Sequence, residues 1–167
     1  IGAPAIDPLR TLLADDDPNV RNVAIRALGQ IGAPGSIQSL MIALQDPKKE
    51  IRQTAAQALD KMGWKPGRDE NAAWYWIENE KWDQCVEVGE PAVEPLIAAL
   101  KEKDWNVRKK AVIALGKIGN ASASKPLVAQ LKKIPMCDLD VVLKALIHIG
   151  ETQSIETGVK LVVDALH

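Results

Sequence analysis

Two histidines, two cysteines and a recurring set of cations, carboxylates and aromatic rings are the residues of this chain that could do chemistry. Nucleophilic catalysis needs a base within hydrogen-bond reach of the nucleophile and a third group to orient that base. No such set is spelled out around His148 or His167. His148 takes the helical position held elsewhere by Gln30, Lys61 and Lys117, turned away from the apolar stripe, and reads as a solvated side chain; His167 is the terminal residue. Cys85 and Cys137 give neither a disulfide framework nor a metal-ligand spacing, and both are expected as reduced thiols. The expectation from these residues is a chain that is not an enzyme, with no catalytic residue, no metal and no cofactor.

Binding chemistry is better supplied. Trp64, Trp74, Tyr75, Trp76 and Trp82, nearly all the aromatic residues, fall between positions 63 and 88. Such rings either refill the core of a shortened element or stack on a flat or cationic ligand. Trp74 and Ile77, three residues apart on one helical face, favour refilling, which leaves Trp64, Tyr75 and Trp76 as the candidates for exposure and for an aromatic site. Acidic residues gather in the same stretch (Asp69, Glu70, Glu78, Glu80, Asp83, Glu87), and lysines follow it from Lys101 to Lys133. With a net charge of −1 the chain lacks the clustered cations that counterion release on nucleic acid requires, so a nucleic-acid partner is not expected.

The elements that must position these groups repeat. Residues 89–119, GEPAVEPLIAALKEKDWNVRKKAVIALGKIG, show the unit most clearly. Val93, Leu96, Ile97 and Leu100 form one helical stripe, and Val107, Ala111, Leu115 and Ile118 form a second after a charged break. Asp104 stands where a carboxylate caps a helix start, and Gly119 where a left-handed residue ends one. Residues 2–31 match almost position for position, with Ile6, Leu9, Leu12 and Leu13, then Val20, Ala24, Leu28 and Ile31; Asp17-Pro18 marks the second helix, and Asp46-Pro47 marks the same start in the next unit. Glycines at 2, 32, 63, 89, 119 and 150 set a period of 30, 31, 26, 30 and 31 residues, which excludes a sheet protein. The expected units are 2–31, 32–62, a short degenerate 63–88 with helices from about Asp69 and Lys81, 89–118, 119–149 and a partial 150–167 with one more helix over Ile155–Leu166. Together they make one domain, 1–167.

With 47% hydrophobic residues the chain can bury a sizeable core, and no apolar run approaches the ~18 residues needed to cross a bilayer. No secretory signal opens it, so a cytoplasmic location without membrane association is expected. The chain is expected to begin on the first helix of a pair and to finish after another first helix, leaving apolar surface without a polar cap, which makes self-association through the ends an expectation.

The repeated segments GAPAIDPLRTLL (2–13) with DPNVRNVAIRALGQIG (17–32), and GEPAVEPLIAAL (89–100) with DWNVRKKAVIALGKIG (104–119), resemble HEAT repeats of the short class first noted in phycobilisome lyases. The resemblance implies an all-α, right-handed α-solenoid of helix pairs. It further implies a ladder of Arg21, Arg52 and Arg108 bonded to loop carboxylates such as Asp17, Asp46 and Asp104, failing in the unit where Leu139 takes the arginine's place. His-Glu pairs of the type found in HEAT-like metal hydroxylases do not occur in the sequence. In such solenoids the second helices line the concave side. The helical wheel turns Asn22, Arg26 and Gln30, then Gln53, Gln57 and Lys61, then Lys109, Ile113 and Lys117, then Asp140, Lys144 and His148 away from the apolar stripe. These residues would form columns across a polar, mildly basic groove suited to an acidic protein or peptide segment. The leading expectation is therefore a protein-interaction scaffold. The alternative, carried by the family resemblance, is a phycobilin lyase-like protein that handles a tetrapyrrole, and a nucleic-acid-binding module stands third.

Overall fold

The computed structural model describes residues 5–131, 133, 138–153 and 163. All the regular elements among them are helical, in pairs that follow the sequence period: α1 (Ile6–Leu12) with α2 (Pro18–Ile31), α3 (Pro34–Ala43) with α4 (Lys49–Lys61), α5 (Glu70–Glu78) with α6 (Trp82–Val88), α7 (Val93–Ala99) with α8 (Trp105–Ile118), and α9 (Ser124–Leu131) with α10 (Leu139–Gln153). They group into two compact units, residues 1–67 and 68–167. The expected helix over Ile155–Leu166 lies outside the described residues, as do Cys137 and His167.

Local signals account for several of the boundaries. Asp17 and Asp104 each accept the backbone N–H two residues on, at 2.8 Å in both cases, and open α2 and α8. Asp69 accepts from Ala72 N at 2.8 Å and opens α5, which is why a nine-residue helix of poor length still has a defined start. Gly32 and Gly119 close α2 and α8 in the left-handed conformation. Gly150 departs from that pattern, because α10 runs through it to Gln153. Pro34 follows Gly32 and forbids continuation, whereas Glu151, Thr152 and Gln153 after Gly150 are compatible with a further helical turn.

In the first unit α2 packs against α4, with Ala24, Ile25, Leu28, Leu40, Leu44, Ala55 and Leu59 fully or almost fully buried between the pairs. The stripe expected on α1 holds only at Ile6, since Leu12 is 40% exposed and Leu9 and Leu13 are half-buried. In the second unit one core runs from Ala72 on α5 to Ile149 on α10 and is centred on Leu96, Leu115, Leu127 and Leu146. The buried face of α8 is wider than a single stripe: Val112 and Ala114 are buried along with Ala111 and Leu115, because α6, α7 and α10 all pack on that helix. Val107 and Ile118, expected at the core, are half-buried at its two ends.

Candidate functional site

Within the first unit the second helices α2 and α4 meet at their smallest residues. A Cβ built on Gly29 would lie 2.9 Å from the Cβ of Ala58, closer than two such atoms can approach. With no side chain between them the helices form the floor of a cleft of about 350 Å³. Arg26, Gly29 and Gln30 of α2 line it, facing Thr54, Gln57, Ala58 and Lys61 of α4. Four of the six column residues expected here thus come together, and all four are exposed. Asn22 and Gln53 are half-buried and lie outside the lining.

The second unit repeats the construction with different chemistry. Gly116 of α8 faces Ala145 of α10, and a Cβ on it would lie 2.8 Å from the Ala145 Cβ and 2.9 Å from its Cα. The cleft above this contact, about 370 Å³, is lined by Ile113, Lys117, Asp140, Val141, Lys144 and His148 with the two small residues between them. Its cations are engaged. Lys117 bonds Asp83 at 3.1 Å, Lys144 bonds Asp140 at 3.0 Å, and His148 Nδ1 stands 3.9 Å from Glu151. Lys109 is not part of the cleft: it is half-buried and pairs with Asp138 at 2.5 Å, beside the Trp105 indole N–H, which donates to the same carboxylate at 2.7 Å. It ties the α9–α10 loop to α8 instead of facing a partner.

The arginine series is structural, and one rung of the implied ladder, Arg21 to the loop carboxylate of Asp46, is present. Each arginine reaches back with Nη1 to carbonyls six and five residues before it: Arg21 to Asp15 and Asp16, Arg52 to Asp46 and Pro47, Arg108 to Glu102 and Lys103. Asp17 and Asp104 cap helices. Asp46 matches Asp15 in register, three residues before the first helical residue, so α4 begins at Lys49 and Asp46-Pro47 is not the counterpart of Asp17-Pro18. From that place Asp46 takes two bonds from Arg21 of the preceding pair, at 2.7 and 3.1 Å. Trp105 stacks on Arg108 with its ring centroid 5.3 Å from the guanidinium carbon.

The aromatic rings mostly fill space. Tyr75, expected exposed, is buried at 7%. Alpha-helix α5 is covered by α6 on one side and α7 on another, so two faces of it are buried and a single-stripe reading phases it wrongly. Tyr75 meets Trp76 edge-on at 4.9 Å, and Trp76 and Trp82 pack against the core. Trp64 is half-buried, and Trp74 lies partly exposed with its indole N–H 3.3 Å from Glu70. Beneath these rings Cys85 is fully buried, and burial pushes its thiol from 9.0 up to about 12. The folded thiol keeps its proton to higher pH than the unfolded one. The stability linked to it is therefore intact below pH 9 and is lost as pH rises toward 12. Iodoacetamide at pH 8.5 is expected to leave Cys85 unmodified in native protein and to alkylate it in guanidinium, read by peptide mass mapping; equal labelling in both would place the thiol at the surface.

The small residues that set both cleft floors, Gly29 with Ala58 and Gly116 with Ala145, were absent from the sequence-derived site, as were Thr54 and Val141. Their signal was present: Ala-Leu-Gly recurs at 27–29 and 114–116, and Ala-Leu at 58–59 and 145–146.

Paired antiparallel helices repeated at about 30 residues, with second helices joined at small residues, define a helical repeat protein. The chain belongs to the HEAT repeat family, whose model matches residues 1–67 and 83–135 and skips the start of the aromatic-rich pair. It is similar to phycocyanobilin lyase subunit beta of Pseudanabaena tenuis, 29% identical over 74% of this chain and 40% of that protein. It is also similar to deoxyhypusine hydroxylase of Drosophila melanogaster, 41% identical over 37% of this chain and 21% of that protein. The chain therefore spans less than half the length of either relative. Among solved structures it is similar to the complex of CpcE and CpcF of phycocyanin lyase from Nostoc sp. PCC7120, at 18% identity over 97% of this chain and 82% of that chain with a TM-score of 0.37. A designed armadillo repeat protein gives 22% identity over 93% of this chain and 70% of that chain, with a TM-score of 0.38. The expectation that the chain is not an enzyme is corrected by these findings, since the curated relatives bear the names of a lyase subunit and a hydroxylase. Among the described residues no helix is long and apolar enough to cross a membrane, and no group of three or more potential ligands could hold a metal.

Proposed function

We propose that the chain is a protein-binding module that holds partner segments on its second helices, each unit by its own cleft, α2/α4 in the first and α8/α10 in the second. The observation that carries this reading is that residues singled out for their outward register, Arg26, Gln30, Gln57 and Lys61 in one unit and Ile113, Lys117, Asp140, Lys144 and His148 in the other, line two clefts built over the same small-residue contact. HEAT repeats offer adjacent helices as a ready-made surface, and side chains at matching positions of successive units present a periodic pattern to an extended or helical ligand. Peptides selected from a random display library on the wild-type protein are expected to bind a variant carrying Arg26→Glu, Lys61→Glu, Lys117→Glu and Lys144→Glu at least tenfold more weakly, with circular dichroism unchanged. Unchanged affinity would move the site off the second helices.

A second reading is favoured by the relative named phycocyanobilin lyase subunit, which matches across 74% of the chain: a subunit of a lyase-like assembly that handles a tetrapyrrole. In that case mixing with a free bilin shifts its visible absorbance. A spectrum equal to the sum of the two components removes this reading.

A further inference from the structure

We infer that the α2/α4 cleft is a seat for a carboxylate, the side chain of a glutamate or aspartate on the partner polypeptide, and that it is the charged anchor of the binding surface proposed above, on which this inference rests. The argument is one of compensation. Of the five cations placed on the outward columns, Lys109, Lys117 and Lys144 are each paired within the second unit, with Asp138, Asp83 and Asp140. Arg26 and Lys61 are both exposed, both line one cleft, and neither makes an ion pair or side-chain hydrogen bond among the described residues. No acidic side chain lines that cleft. The remaining polar lining adds the amide donors of Gln30 and Gln57, while the single Thr54 hydroxyl proton is already given to the Glu50 carbonyl.

A carboxylate answers this set better than other anions of its size. The guanidinium of Arg26 offers two parallel N–H groups that match its two oxygens, and Lys61 adds a point charge that needs no fixed direction. Gly29 and Ala58 bring the helices together, and a cleft of about 350 Å³ admits the end of a side chain more readily than a folded surface. The cleft of the second unit, with Ile113, Val141 and Ala145 along it and its cations neutralised from within, offers no comparable charge.

The test is an NMR titration of the whole chain with an acetylated, amidated peptide that alternates Glu and Ala, against the same peptide with Gln in place of Glu. The expected result is shifts at the Arg26 Nε–H and at the Gln30 and Gln57 side-chain amides with the Glu peptide alone. Affinity should fall at least tenfold in the Arg26→Gln, Lys61→Gln variant and stay unchanged in Lys125→Gln, an exposed α9 lysine outside both clefts. Equal shifts from both peptides overturn the carboxylate assignment, as does the absence of shifts at millimolar peptide. Shifts confined to α8 and α10 overturn this inference while leaving the second-helix reading in place. Stronger binding of a short oligonucleotide than of the Glu peptide overturns it in favour of a phosphate ligand.

Discussion

Asp46→Ala is expected to destabilise the first unit by about 2–4 kcal/mol, because it strips a buried guanidinium of its carboxylate. The Asp46 and Arg21 side chains are 8% and 11% exposed, and two nitrogens of the arginine reach the two oxygens of the acid. Arg21 Nη1 is held separately by the carbonyls of Asp15 and Asp16, so the side chain cannot leave for solvent without losing those bonds too. The same carboxylate accepts the Lys48 N–H at 2.7 Å and shapes the turn before α4. Asp46→Asn keeps the shape and one acceptor and should cost roughly half as much, while removing both charges in Arg21→Leu, Asp46→Leu should cost less than Asp46→Ala alone. The hydrogen bond from Arg21 to Asp46, aided by the nearby acids, raises the arginine's pKa above its ordinary value. The arginine therefore stays charged through neutral and mildly alkaline pH, and its titration gives no pH dependence near neutrality. Urea melts of the three variants decide the matter: equal midpoints for Asp46→Ala and wild type would mean the pair contributes nothing.

The periodic parts of this architecture were legible because they depend on short-range chemistry. A cap at Asp17, Asp69 or Asp104 and a glycine at 32 or 119 act within four residues of themselves, so their meaning survives without knowledge of neighbours. What failed depended on longer range. The Asp-Pro dipeptides at 17–18 and 46–47 look alike, yet they stand in different registers; the count of six residues back from the following arginine separates them, and only the loop geometry shows that this count matters. Lys109 reads as a surface cation until Asp138, 29 residues on, is brought to it. Tyr75 sits in a run, AAWYWI, apolar on every side, whose phase is set by which helices cover it and not by its own pattern. The candidate site was legible as a direction, outward from the second helices, but not as two clefts, because the floor of each is made by residues chosen for what they lack.

That last point gives the second large effect. Gly116→Ala places a methyl group 2.8 Å from the Ala145 Cβ and 2.9 Å from its Cα, and the second of these is backbone that no rotamer change can move. Replacing glycine by alanine inside a helix would by itself gain about 1 kcal/mol. Overpacking of a filled interface costs about 1–3 kcal/mol, occasionally more, and here it must also part α8 from α10, two helices that share the core through Leu115, Val142 and Leu146. The clash wins, and the expected net loss is about 1–2 kcal/mol for Gly116→Ala and more for Gly116→Val, which adds bulk and regains little propensity. Calorimetry should show the transition of residues 68–167 falling by about 4–8 °C for each kcal/mol lost. Adding Ala145→Gly removes one of the two contacts and leaves the other, so it should restore the Gly116→Ala protein only in part. Gly35→Ala is the control: its new methyl meets only the tip of Ile6 at 3.3 Å, a side-chain end that can turn aside, so little should be lost. A rise in stability for Gly116→Ala would mean that the helices tolerate a wider spacing. The separation of Ile113 from Lys144 across the cleft would then be adjustable by the ligand instead of set by the fold.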